Sequence, residues 1–283
     1  MNAKSTPQTP AIKDWLKAAN KQLDLAGITS ANLDAEIILS SAVGQNRTYL
    51  HAHPEKIIDN AQFDIANSKL KLRLKRIPIA YIIGHKEFYG RDFLVNSDTL
   101  IPRPESEDII EILKTILTPY SNSHIPIAKL VDVGTGSGCL GISAKLELPQ
   151  LDVTLMDISL DALKVASQNA QILFADVKII QSNLLESYSK KPYIVIANLP
   201  YVDQKWDRSP ETDHEPSLAL FADDDGLSII KDLIIQASVK LANNGHLLLE
   251  ADPIQHNSII AFAIKYQFKL KIQKNYILAF TKK

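Results

Sequence analysis

Cysteine is nearly absent from this chain of 283 residues: Cys139 stands alone, which excludes an intrachain disulfide. No apolar run approaches the roughly 20 residues needed to cross a bilayer, so no membrane segment is expected. The stretch Met1 to Pro10 is polar, punctuated by proline and without the apolar core of a signal peptide. With the single cysteine, this leads to the expectation of a reducing cytoplasm. Charge of one sign is also lacking. The formal net charge is -1, so nothing global advertises a polyanion partner, and nucleic acid is not expected as substrate. The acidic run Glu211 to Glu215 lacks a second histidine at ligand spacing to His214, and we expect a surface loop and no metal there. No internal repeat or low-complexity tract is evident.

What is present has the balance of a globular chain, 46% apolar and 22% charged, and the length favours two domains. Up to about Arg76 the apolar residues recur at helical spacing, as in Ile12, Trp15, Leu16, Ala19 and Leu23, then Leu33, Ile37 and Ile38. Gly27 and Gly44 follow two of these helices, and Ser30 or Asn32 is placed to cap one. Lys69 to Arg76 alternates cations with leucine; it suits a strand or a helix, and a solvated helix face is the simpler expectation. Residues 1–78 thus read as a helical domain. Tyr81 to Asn96 is rich in aromatic and β-branched residues around Gly84 and Gly90, which predicts a β-hairpin, with residues 79–105 as a linker. Two prolines, Pro102 and Pro104, then hold an extended loop before a helix of about a dozen residues near Ser106.

Residues 106–283 read as the second domain. From Ile127 onward, strand-like runs alternate with helical segments: Ala128 to Val133, Val153 to Met156, Val177 to Ile180, Tyr193 to Ala197 and His246 to Glu250. Alternation of this kind implies right-handed βαβ units and a parallel sheet. Phe268 to Phe280 is long enough for two further strands about a turn near Lys274 and Asn275.

The first of these strands runs into Gly134-Thr135-Gly136-Ser137-Gly138 ahead of a helix over Cys139 to Leu148. Glycines at the carboxyl end of a central strand let a ligand approach the backbone, and open α/β sheets bind nucleotides there. Gly136, Gly138 and Gly141 also satisfy the dinucleotide fingerprint, so a nicotinamide cofactor stays open on this evidence. Asp157 ends the next strand, where its carboxylate suits the two hydroxyls of an adenosine ribose. Asp132 precedes the glycines and suits a cationic amino group better than a pyrophosphate, which favours S-adenosylmethionine.

Asn198-Leu199-Pro200-Tyr201 follows another strand at the same sheet edge. An amide nitrogen is a weak nucleophile because its lone pair is delocalised, so a site must hold both N–H bonds and aim the nitrogen. The Asn198 side-chain oxygen and the Leu199 carbonyl are suitable acceptors. Pro200 favours extended backbone at Leu199, and Tyr201 offers an aromatic face to a planar group. Five residues carry weaker expectations. Cys139 opens a helix and is expected in the core; Phe88 and Tyr89 suit either the cofactor or a hairpin anchor; Arg103 with Glu105 suits an ion pair or the pocket rim.

Across nearly its full length the chain resembles the release factor N5-glutamine methyltransferases. The likeness rests on Leu33 to Leu39, on Ala80 to Gly84 with Glu87 to Gly90, on Leu100 to Glu107, and on the glycine and Asn198 loops. Glu215-Pro216, Asp225-Gly226-Leu227 and Glu250 with Gln255 add to it. The resemblance implies a seven-stranded, mostly parallel, Rossmann-like methyltransferase sheet with one antiparallel strand at its end, an N-terminal helical domain that contacts the release factor, and a β-hairpin linker. It also implies that Gly134 to Gly138 and Asp157 bind S-adenosylmethionine, that Leu184 lies near the adenine, and that Asn198 touches cofactor and substrate. The implied reaction methylates the glutamine of a Gly-Gly-Gln motif through Asn198, Pro200 and Tyr201, with Leu199 also on the substrate; separately, a monomer is expected. Here Leu199 replaces the first proline of the family's Asn-Pro-Pro-Tyr, Asn183 stands where an acid is common, and the C-terminal stretch lacks the family's Asp, Gly and Arg pattern. Asn-Leu-Pro-Tyr is similar also to the loop of ribosomal-RNA adenine dimethyltransferases. Adenine-N6 methylation of RNA or DNA is therefore the rival activity, and a non-catalytic cofactor-binding partner of the translation machinery the rival of another class.

Overall fold

The computed structural model describes residues 9–117 and 128–283; the expectations for most of Met1 to Pro10 and for Ile127 lie outside them. The chain divides into two compact units, Met1–Gly84 with Ser209–His214, and His85–Arg208 with Glu215–Lys283.

The first unit is helical: α1 (Ile12–Leu25), α2 (Ala31–Val43), α3 (Arg47–Ala52), α4 (Asn60–Leu74) and α5 (Ile79–Ile83). Its core gathers Ile12, Trp15, Leu23, Ile38, Leu39 and Leu50, the faces picked out by the helical period. Gly44 closes α2 in the left-handed conformation, whereas Ser30 spends its hydroxyl on Asp34 and not on a backbone N–H. Asp59 and Gln62 form a capping box on α4, an arrangement worth about 1 kcal/mol. Lys69 to Arg76 is largely the end of that helix, and it is not simply a solvated face. Arg73 is buried, with Nε 2.6 Å from Asp34 Oδ2 and Nη1 2.9 Å from Glu211, because a buried carboxylate needs a counter-charge. Tyr81 to Ile83 fall in α5, contrary to the expectation of hairpin from Tyr81 onward: Gly84 at φ +84 ends a helical turn before the strands begin.

In the second unit, strands β1 (His85–Phe88) and β2 (Arg91–Leu94) form that hairpin. It packs into this unit's core, with Phe88 and Phe93 buried against Ile109, Leu113 and Ile142. Asn169, itself buried, bonds Leu94 through both N–H and C=O and reaches the Ser137 carbonyl, tying hairpin to glycine turn. A 3-10 turn, Pro104–Ser106, leads into α6 (Glu107–Leu117). Then follow β3 (Lys129–Val133), α7 (Cys139–Glu147), β4 (Asp152–Asp157), α8 (Leu160–Ile172), β5 (Lys178–Gln181) and β6 (Ile194–Ala197). After two short helices, α9 (Ser217–Leu220) and α10 (Asp223–Gly226), come α11 (Ser228–Lys240), β7 (His246–Glu250), α12 (His256–Lys265), β8 (Phe268–Lys274) and β9 (Ile277–Lys282).

The seven strands lie in the order β5-β4-β3-β6-β7-β9-β8. Neighbours from β5 to β7 pair parallel, and β9 runs antiparallel to both β7 and β8. The Rossmann-like methyltransferase sheet with its late antiparallel strand is thus observed. Its two faces are covered by separate apolar clusters, one with Val131, Val195 and Leu247, the other with Leu130, Ile194 and Leu248, the side-chain alternation of buried strands. Because Val133 pairs with both Met156 and Ala197, the carboxyl ends of β3, β4 and β6 open on one edge. No helix among the described residues is long and apolar enough to cross a membrane.

Candidate active site

At that edge lies a cavity of about 230 Å³ lined by the turn after β3, the ends of β4 and β5, the loop after β6 and the segment before α6. Gly134, Thr135, Gly136, Ser137, Asp157, Leu184, Asn198, Leu199 and Pro200 all line it; Gly138 and Tyr201 do not.

The glycine turn is shaped from beneath. Asp132 Oδ2 accepts from Thr135 Oγ1 at 2.6 Å and from the Gly141 N–H at 2.9 Å, so this carboxylate props the turn and is not among the lining groups. Burial pushes its pKa up to about 6, and its Oδ1 has no partner among the described residues. Gly138 is a packing requirement: a Cβ there lies 2.7 Å from Ile142 and 3.3 Å from Ala166, at φ +84. Gly134 permits another close approach, since its Cβ would stand 2.8 Å from Leu199 Cδ2. The leucine that departs from the family's proline therefore packs on the glycine turn.

Asp157 receives the Gly136 N–H at 2.9 Å on Oδ2 and the Ser159 N–H at 2.9 Å on Oδ1. Burial raises its pKa, against these bonds. Lone pairs remain on both oxygens for a diol. Ile158, Leu184 and Asn183 border the same end of the cavity; Asn183 donates to Glu186 at 2.9 Å, which leaves its amide oxygen available. Ser137 Oγ, buried in the lining, is another polar atom without a partner among the described residues. A turn open to backbone approach, a diol acceptor and an unpartnered buried hydroxyl in the lining fit an adenosine-bearing cofactor.

The loop after β6 has supports that sequence reasoning missed. Asn198 Nδ2 donates to Ser106 Oγ at 3.0 Å, and Ser106 donates to Glu250 Oε2. Since the serine proton goes to the carboxylate, Ser106 must accept from the Asn198 NH₂, which fixes which end of the amide is which. Asn198 Oδ1 and the Leu199 carbonyl are left without partners among the described residues. Tyr201, expected to offer its face to a substrate, packs against the sheet core and donates to Glu250 Oε1 at 3.2 Å, because a half-buried phenol needs an acceptor. Desolvation and Glu250 push the phenol pKa up. Gln255 Nε2 holds the Tyr201 carbonyl at 2.9 Å and that of Asp225 at 2.8 Å; Gly226 leaves room, a Cβ there falling 2.0 Å from the Tyr201 oxygen. Glu250, Gln255 and Gly226 were legible as family pattern, but only their contacts give them a task.

The weaker expectations resolve. Arg103 lines the cavity and pairs with buried Glu215 at 2.6 Å, not with Glu105, which is exposed. Phe88 and Tyr89 anchor the hairpin, the tyrosine through Glu111 and Lys114. Cys139 is partly buried at the cavity wall, and burial with nearby Asp132 pushes its thiol up to about 12, so it is no nucleophile. His214 is exposed, its Nε2 3.0 Å from the Lys75 carbonyl.

Sheet order, glycine turn, acidic strand end and asparagine loop together define a Rossmann-like methyltransferase. Comparison agrees: the PrmC N-terminal domain family matches residues 14–84 and the methyltransferase small domain family residues 112–214. A Pyrococcus furiosus methyltransferase structure superposes with a TM-score of 0.52 at 17% identity, over 77% of this chain and 98% of that one. A bifunctional methyltransferase of Rickettsia bellii is 35% identical over 85% of this chain and 48% of its own length, so the chain spans about half of such relatives. The release factor glutamine methyltransferase of Deinococcus radiodurans is 34% identical over 86% of both chains. The chain belongs to the release factor glutamine methyltransferase family.

Proposed function

We propose that the chain methylates the N5 side-chain nitrogen of the glutamine in the Gly-Gly-Gln motif of a peptide chain release factor, using S-adenosylmethionine. The observation that carries this reading is the Asn198 amide, held by Ser106 at 3.0 Å so that its oxygen and the adjacent Leu199 carbonyl are without partners among the described residues, beside the glycine turn. Two acceptors on adjacent residues match in number the two N–H bonds of a primary amide.

S-adenosylmethionine, when bound, supplies an electrophilic methyl group. Gly134 to Ser137 and Leu184 suit its contact surface, and Asp157 suits its ribose. Asn198 Oδ1 and the Leu199 carbonyl hold the acceptor nitrogen against free rotation, the entropic part of the barrier that positioning removes. As the nitrogen gains the methyl, the methyl–sulfur bond breaks and S-adenosylhomocysteine is left; the nitrogen sheds one of its two protons to water, and N5-methylglutamine results. Pro200 keeps the loop extended and withholds a competing donor. The protein acts as a monomer in a reducing cytoplasm, where Cys139 stays a thiol, and residues 1–78 serve recognition of the factor.

The test incubates the protein with methyl-labelled S-adenosylmethionine and release factor carrying Gly-Gly-Gln, its Gln→Ala form, or ribosomal RNA. Label on the wild-type factor alone is expected; label on RNA would move the assignment to adenine. Asn198→Ala is expected to abolish transfer while cofactor affinity falls less, and unchanged turnover would remove Asn198 from its role.

A further inference from the structure

Ser106 and Glu250 are both almost wholly buried, at 2% and 1% exposure, and hydrogen-bonded to each other beside the Asn198 loop. One carboxylate holds two points of that loop: Oε2 takes the Ser106 proton, and Ser106 accepts Asn198 Nδ2, while Oε1 takes the Tyr201 hydroxyl. A buried carboxylate is a costly way to satisfy a serine and a tyrosine, since an apolar group of similar shape is often as stable or more so. Its peculiarity is that, when ionised, it only accepts hydrogen bonds. A neutral group at the same place leaves Ser106 free to donate to Asn198, and the amide then turns its NH₂ toward the cavity, where it repels an N–H donor.

We infer that Ser106 and Glu250 are a positioning pair that sets the orientation of the Asn198 amide, so that Glu250 in its charged form makes the loop competent to accept the substrate N–H. The inference rests on the amide-methylation reading, but its central claim concerns the Asn198 side chain alone. The groups around Glu250 bear on its ionisation from each packed element. Arg103 and Glu105 lie before α6, Cys139 opens α7, and Tyr201 is in the loop itself, where Tyr276, just before β9, acts on its phenol. Desolvation outweighs the Ser106 and Tyr201 bonds and lifts the Glu250 pKa to about 7, so the switch between the two orientations falls in an accessible range.

The test has a kinetic arm and a spectroscopic arm. Ser106→Ala and Glu250→Gln, which is isosteric, are each expected to lower kcat about tenfold or more, with KM for S-adenosylmethionine changed less than about threefold. The double variant is expected to be no slower than the slower single, because both act through one amide. The acid limb of the wild-type kcat profile, centred near 7, is expected to vanish in Glu250→Gln. Without any acceptor, the Asn198 side-chain amide resonances, assigned by their loss in Asn198→Asp, are expected to titrate with the same midpoint in wild type and not in Glu250→Gln. Additive rate losses, or resonances that ignore pH between about 6 and 8 or titrate alike in both proteins, overturn the inference. A wild type that methylates no release factor overturns the proposed function instead, and the resonances then decide the positioning pair on their own.

Discussion

Glu250→Gln is expected to stabilise the fold while impairing turnover, and the stabilisation is expected to grow with pH. The carboxyl is nearly inaccessible to water, and burial moves its pKa from 4.5 to about 7. A group raised in this way favours the folded state below its unfolded value, and that contribution is lost as pH rises through the folded one. At pH 8 the native protein holds an anion that the unfolded chain ionises far more readily. The difference between the two pKa values, at about 1.4 kcal/mol per pH unit, comes to about 3 kcal/mol. At pH 5 the native group is protonated and the cost is below about 1 kcal/mol. Glutamine keeps the volume and removes the ionisation, and every other titrating group is common to both proteins. Urea unfolding of both at pH 5 and pH 8 isolates the effect: the stability gap should widen by about 2 to 3 kcal/mol toward pH 8. A gap constant within about 0.5 kcal/mol refutes the idea that Glu250 is held against its own desolvation.

Three further outcomes are expected. Arg73→Ala strands Asp34, which is 2% exposed, without its guanidinium, and should cost about 3 to 5 kcal/mol in urea unfolding of the first unit; a loss under about 1 kcal/mol would make the pair a surface-like contact. Gly226→Ala places a methyl 2.0 Å from the Tyr201 carbonyl at φ +82, so the Gln255 clamp must open, with a loss of about 2 to 4 kcal/mol and a slower kcat. Wild-type turnover in that variant would show the clamp to be dispensable. Asp157→Asn should weaken S-adenosylmethionine binding about 10- to 100-fold by calorimetry, the loss of a charged acceptor, and an unchanged Kd would move the ribose elsewhere.

Several elements were open to sequence reasoning because their causes are local. The helical period of Ile12 to Leu23 marks the face that α1 buries, and the apolar runs of β3, β4, β6 and β7 lie within a residue of their observed bounds. The glycine turn, Asp157 and Asn198 to Pro200 do meet around one cavity. Tyr81 to Ile83 misled because aromatic and β-branched residues suit a strand in isolation, while tertiary packing makes that stretch a short helix. Tyr201 misled differently: an aromatic after a loop has no preferred side until its hydroxyl meets an acceptor, and that acceptor is 49 positions away.

By itself the sequence determined the alternation of strands and helices, the edge at which the glycines and Asn198 lie, and, through the spacing of its motifs, the family. These follow from period and turn chemistry, which are properties of neighbouring residues. Only the tertiary structure decided that Asp132 props the glycine turn, that Arg103 pairs with Glu215, and that Gly138 answers to Ala166. It alone decided that Ser106 and Glu250 hold Asn198, across 92 and 144 positions of chain. A buried polar atom must find a partner wherever the fold brings one, and no local pattern announces which residue that is.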